Sequence, residues 1–135
     1  MNDVKAKAAL KQYSSTKSSN IVVEEATPHR LIQMLLDAAI EKVNIAKGCI
    51  DRKEIREKNA YISWATEIVL GLQESLDLTQ GGEIAKNLTE LYDYIRQRLL
   101  EANLHDNSAH ADEVIMLLRN IKSGWDAIPT EFHNK

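Results

Sequence analysis

From residue 28 to residue 128, apolar side chains return at spacings of three and four, the period of a helix face. Behind Thr27-Pro28, the positions Ile32, Leu36, Ala39, Val43, Ala46 and Ile50 form a heptad seam. Leu31, Leu35, Ala38, Ile45 and Cys49 make a second stripe beside it, which predicts neighbours on more than one side of this helix. Thr is a good N-cap, and Pro loses no hydrogen bond at the first helical position. A second seam, Ile55, Ile62, Ala65, Val69, Leu72 and Leu76, is flanked by Tyr61, Trp64 and Ile68. Gly71 interrupts it at a cost of about 1 kcal/mol relative to Ala. Gly81-Gly82 reads as a turn. A third seam follows, of Ile84, Leu88, Leu91, Ile95, Leu99 and Ala102. His105-Asp106-Asn107 is the next connector, with Asn107 or Ser108 as cap. The last seam is Ala111, Val114, Leu118, Ile121, Trp125 and Ile128, stopped by Pro129.

Helices are therefore expected near 28–52, 54–77, 83–104 and 109–127. Short connectors make sequential neighbours antiparallel, so the predicted fold is all-α, an antiparallel four-helix bundle over 27–128. Residues 129–135 read as a tail. Residues 1–26 differ: the run Ser14-Ser15-Thr16-Lys17-Ser18-Ser19-Asn20 competes for the backbone and breaks any helix. This stretch reads as a mobile N-terminal arm with apolar groups at Leu10, Tyr13 and Ile21 to Val23.

Charge narrows the function. The net charge of −3 offers no concentrated basic face, which excludes nucleic acid as the expected partner. The most apolar stretch, LIQMLLDAAI, is short and carries Gln33 and Asp37, so no stable membrane insertion is expected. A single cysteine and the lack of an apolar leader before a cleavage site fit a cytoplasmic protein.

Catalytic chemistry finds no foothold. A di-iron bundle needs Glu-x-x-His on two helices, and no Glu here has a His three residues on. One Cys and four scattered His make a poor zinc set. His29, His105, His110 and His133 read as solvated or capping residues, Cys49 as a small buried hydrophobe, and Tyr92 and Tyr94 as half-buried flanks with wet hydroxyls. No enzyme, catalytic residue, metal or cofactor is expected.

Surplus apolar surface remains. The first helix has two stripes, the second adds Tyr61, Trp64 and Ile68, and the fourth adds Ile115, Met116 and Leu117. Amphipathic partner helices dock in such grooves. A thicker core, or a homodimer seam, accounts for the same pattern. Candidate partner-contacting residues are Tyr13, Ile21, Val23, Met34, Leu35, Asp37, Tyr61 and Trp64. For Asp37 a structural bond to a neighbouring helix competes with recognition.

ATPHRLIQMLLDAAI (26–40) resembles the flagellin export chaperones of the FliS family, whose pattern is Ala-Ser-Pro and then Met-Leu-Tyr-Asp-Gly-Ala-Ile. LDLTQGGEIAKNLTELYDYIRQRLLEAN (76–103) resembles the family's Gly-Gly-Glu-Ile-Ala segment, and DEVIMLLRNIKSGW (112–125) its last helix. Tyr13 stands where the family has an N-terminal Tyr. Leu36 replaces the family's Tyr and Ala38 its Gly. The resemblance implies a cytosolic chaperone that holds the disordered C-terminal segment of flagellin, blocks premature polymerisation and helps deliver it to the export gate protein of the flagellar secretion apparatus. The alternative is a structural homodimeric interaction protein, or a chaperone that dimerises weakly.

Overall fold

The computed structural model describes residues 27–129, without the side chain of Gln80. The arm expected over 1–26, with Tyr13, Ile21 and Val23, and the tail from 130 lie outside the described residues. Four helices follow one another: α1 Pro28–Asp51, α2 Ile55–Glu74, α3 Leu78–His105 and α4 Ser108–Asp126. No strand occurs among the described residues.

Local chemistry sets the ends. Thr27 has extended backbone (φ −65°, ψ 160°), and its Oγ1 accepts a bond from the Arg30 amide at 3.1 Å. Asn107 does the same for α4, accepting from the Ala109 amide at 2.9 Å. The end of α1 closes in a Schellman pattern: the Glu54 amide reaches the Cys49 carbonyl and the Lys53 amide that of Ile50. Lys53 holds the left-handed position (φ 59°) where glycine is usual.

The α2–α3 connection lies earlier than expected. α2 stops at Glu74, and Asp77 accepts a bond from the Thr79 amide at 3.0 Å, starting a helical turn at Leu78. That turn breaks at Gly82 (φ 55°, ψ −135°), whose conformation no side chain tolerates easily, and the long part of α3 runs on from there. The glycine pair thus marks a kink rather than the whole turn.

The helices run antiparallel. Lys58 near the start of α2 donates to the Asn103 carbonyl near the end of α3, and Gln73 at the end of α2 donates to Thr89 and Asp93. Trp125 late in α4 donates to the His29 carbonyl early in α1, and Lys47 late in α1 pairs with Asp112 early in α4. Each helix packs on two neighbours, α1 and α3 each touching α2 and α4. The core along the axis is Leu31, Leu35, Leu36 and Val43 of α1, Val69 and Leu72 of α2, Ile95 and Leu99 of α3, and Val114 and Leu118 of α4. Each fully buried Leu or Val contributes about 1.5–3 kcal/mol.

Several expected seam positions differ. Ile55 and Ile84 are exposed, 61% and 74%. Ile55 opens α2 at the α1–α2 turn and Ile84 follows the Gly82 kink, so each sits at the rim of an opening at one end of the bundle. Tyr92 is buried in the core rather than half-buried, and burial pushes its hydroxyl pKa up. His29 is buried rather than solvated and stacks on Trp125 (4.9 Å between centroids, 10° between planes). His110 is partly buried on the α3–α4 face.

Candidate partner-binding surface

The expected contact residues divide between two faces. Tyr61 and Trp64 on α2 lie side by side, rings 6.2 Å apart, and turn towards α1. Between them and α1 lies Lys42, whose ammonium stands 4.2 Å from the Trp64 centroid and 5.7 Å from that of Tyr61. Met34 is partly buried against the core on α1. Asp37 is on the α4 side, half exposed, 3.5 Å from the Lys122 ammonium, which also bonds Asp126. Gln33 adds a bond to Asp126 at 2.6 Å. The Lys122 contact and then Gln33 hold the Asp126 carboxyl below its ordinary value. Asp37 is thereby a stitch between α1 and α4.

Leu35 has no exposed area at all and belongs to the core, so it corrects the expectation of a contact residue. Its heptad neighbours make it indistinguishable from surface leucines by pattern alone.

Lys42 and Lys58 are the residues that sequence reasoning passed over. Both are nearly buried, 6% and 5% exposed. Lysine stems pack along apolar surface while the ammonium seeks a partner. Lys42 has the aromatic pair and Glu41 at 3.3 Å. Lys58 has Asp106 (2.5 Å) and the Asn103 carbonyl (3.1 Å), and so ties the start of α2 to the α3–α4 turn. Asp106 itself has φ 50°. The only legible signal for either lysine was its place one turn from an apolar seam residue.

The α3–α4 face carries a polar network. Arg98 donates through Nε to Glu113 and through Nη1 to Glu101, both at 2.8 Å, and through Nη2 to Nδ1 of His110 at 2.6 Å. Tyr94 donates to the other oxygen of Glu113 at 2.8 Å. The Tyr94 bond and then Arg98 lower the Glu113 pKa against the opposing effect of burial. A guanidinium donates only, so in this contact Nδ1 of His110 is the acceptor.

Openings interrupt the surface of the described residues. One, of about 240 Å³, lies at the α1–α2 turn among Cys49, Ile50, Lys53, Ile55 and Lys58. Another, of about 270 Å³, lies at the opposite end beside Trp125, Leu76, Ile84 and Leu88. A groove of about 440 Å³ lies between α2 and α3, lined by Ile62, Ser63, Thr66 and Glu67 facing Arg96, Leu100 and Asn103. The two end cavities fall below the roughly 300–1,000 Å³ usual for small-molecule sites. Among the described residues no group of His, Cys, Asp and Glu is placed to hold a metal, and no helix is long and apolar enough to cross a membrane.

The family model for the flagellar protein FliS matches residues 9–131. The chain is 45% identical to the flagellar secretion chaperone FliSB of Pseudomonas aeruginosa over 91% of its length and 97% of the relative's. It is 38% identical to the flagellar secretion chaperone FliS of Vibrio cholerae, covering 81% of this chain and 80% of that one. With FliS of Salmonella typhimurium it shares 38% identity over 90% of both chains. These relatives are named as flagellar secretion chaperones. A family model that matches the whole bundle and relatives that cover most of the chain agree, and the chain belongs to the FliS family of flagellar proteins.

Proposed function

We propose that this export chaperone acts in the cytoplasm, binds the C-terminal segment of flagellin before assembly, prevents its premature polymerisation and presents it to the export gate protein. The observation that carries the reading is apolar surface left open on a bundle whose core is already filled: Ile55, Leu78, Ile84, Leu100, Leu104 and Met116 are all more than half exposed. A segment with apolar helical faces folds onto such a surface and buries it, and part of the gain is spent on ordering the segment, which keeps the complex releasable. Tyr61, Trp64 and Met34 would form one part of the contact, with Asp37 at its edge, and Tyr13, Ile21 and Val23 of the preceding arm another.

Calorimetry of the full chain with the C-terminal segment of flagellin tests this. One-to-one binding with a negative heat-capacity change is expected. No binding between the two clean, folded components defeats it. Light scattering separates the competing homodimer, which would give a concentration-independent dimer. If the arm competes for the same surface, apparent affinity is reduced by the fraction of molecules in which it is docked. Deleting residues 1–19 then tightens binding or leaves it unchanged, and a severe loss with an intact fold means the arm touches the cargo directly.

A further inference from the structure

The opening beside Trp125 is walled by the α2–α3 connection, the first turns of α3 and the end of α4, with Leu76, Ile84 and Leu88 around it. Gly81 lies in the wall and brings no side chain to fill the space. Apolar groups stand bare at this end of the bundle: Ile84 at the rim is 74% exposed, and Leu78, which opens α3, is 58% exposed. A volume of about 270 Å³ is small for a free ligand and takes a single aromatic ring. Trp125 is a fixed surface for such a ring. Its indole stacks on His29, its Nε1 donates to the His29 carbonyl, and it also lines the opening. Aromatic pairs settle at centroid separations of about 4.5–7 Å, offset or edge to face.

The chain carries one phenylalanine, Phe132, three residues past the last described residue, Pro129. At the end of α4 the Ala127 amide bonds to the Ser123 carbonyl and the Ile128 amide to that of Trp125. Ile128 is half-buried, so the chain leaves α4 beside the bundle. Three extended residues reach about 10 Å, close to the diameter of a helix, which brings Phe132 within range of the opening. The other segment outside the described residues joins at Thr27 on α1, and α1 contributes no residue to this opening. The tail joins on α4, which contributes Trp125.

We infer that Phe132 seats in the opening beside Trp125, so that residues 130–135 close this end of the bundle. The seated ring covers the inner side of Ile84 and ties the kinked start of α3 to the end of α4. Leu100 and Leu104, far along α3, stay open. The inference is independent of the cargo reading.

The test uses the full chain grown with 3-fluorophenylalanine, which places one fluorine, at Phe132. In fluorine NMR the folded chain should give a signal displaced from its position in urea and broadened far less by a soluble gadolinium chelate. Ile84→Ser should move the signal back towards the urea position, and Leu100→Ser, the same change outside the opening, should leave it in place. If Ile84→Ser loses its helical signal, fluorine–proton Overhauser contacts to Trp125 and Leu88 in the wild type carry the test. A wild-type fluorine as exposed as in urea overturns the assignment. So does a displaced signal that ignores Ile84→Ser and lacks those contacts, because the ring then sits elsewhere. A fluorine exposed in the wild type but protected once Ile21→Ser and Val23→Ser are introduced also overturns it, and gives the opening to the N-terminal arm.

Discussion

The two long helices α1 and α3 sit diagonally in the bundle and behave differently. α1 buries residues over a wide arc, from His29 and Leu31 through Ile50, and even takes in Lys42. α3 is longer but buries a narrower set, Ala85, Tyr92, Ile95, Leu99 and Ala102, and leaves Ile84, Leu100 and Leu104 open. Both are equally rich in leucine and isoleucine to the eye. The difference is where the second stripe goes: on α1 it is covered, on α3 it faces solvent. One helix is scaffold, and the other presents apolar area that has no use in the isolated chain. A bundle that stabilised itself as far as possible would not leave that area bare.

The sharpest test sets neighbours against each other. Leu99 is buried at 1% and Leu100 is exposed at 51%. Leu99→Ala should cost about 2–5 kcal/mol in denaturant melts, the usual cost of a core cavity. Leu118→Ala, also fully buried, should fall in the same range. Leu100→Ala should stay within about 0.5 kcal/mol. Equal losses at 99 and 100 would erase the distinction between scaffold and surface.

Next in size is the tie between α2 and the α3–α4 turn. Asp106→Ala leaves the Lys58 ammonium buried without its carboxylate and should cost about 1–3 kcal/mol. Lys58→Met should cost less, because Asp106 is 59% exposed at its side chain and regains water. The reverse order would mean the carboxylate, not the ammonium, is the group that suffers desolvation.

The left-handed turns differ in the same way. At Lys53 the backbone has no need of its side chain, so Lys53→Gly should stabilise by about 0.5 kcal/mol, left-handed strain relieved outweighing the entropy of glycine. Asp106→Gly should not, since it also removes the partner of Lys58.

The smallest effect concerns pH on the α3–α4 face. Tyr94 and Arg98 hold the Glu113 pKa below its ordinary 4.5, so the folded chain binds that proton less readily than the unfolded one. The stabilisation is complete above the ordinary value and is lost as pH falls through the lowered one. Tyr94→Phe should therefore make the melting temperature fall less steeply between about pH 5 and 3. An unchanged slope would show that Arg98 alone sets the carboxylate.

The bundle was legible because its strongest signals are redundant. Thr27-Pro28 marks a start, Asn107 marks another, and the seams of α1 and α4 hold their spacing throughout. Periodicity fails where a residue's surroundings depend on where its neighbours end. Ile55 and Ile84 keep the seam register but sit exposed at the rims of openings at the two ends of the bundle. It also fails for Leu35, whose pattern does not say which side of a wide stripe is covered. Lys42 and Lys58 are invisible to any apolar count, because a charged head can be accommodated by an aromatic pair or a turn that only the fold brings near. At the second connection, two glycines drew attention from Asp77, the residue that opens the next helix. On the candidate surface, Tyr61 and Trp64, read as flanks of the α2 seam, lie side by side, while a groove between α2 and α3 lies one face away.

Cys49 gives the scaffold helix a built-in clock. It is the only thiol in the chain, it is 2% exposed near the end of α1, and burial raises its pKa, so little of it is the reactive thiolate. It lines the opening at the α1–α2 turn, yet at 2% exposure its reaction with a thiol reagent is speeded whenever the end of α1 or that turn opens further. The rate of modification then reports how often that corner of the molecule comes apart, without any engineered probe. Compared with and without cargo, that rate separates a ligand that tightens the whole bundle from one that merely lies on its open face.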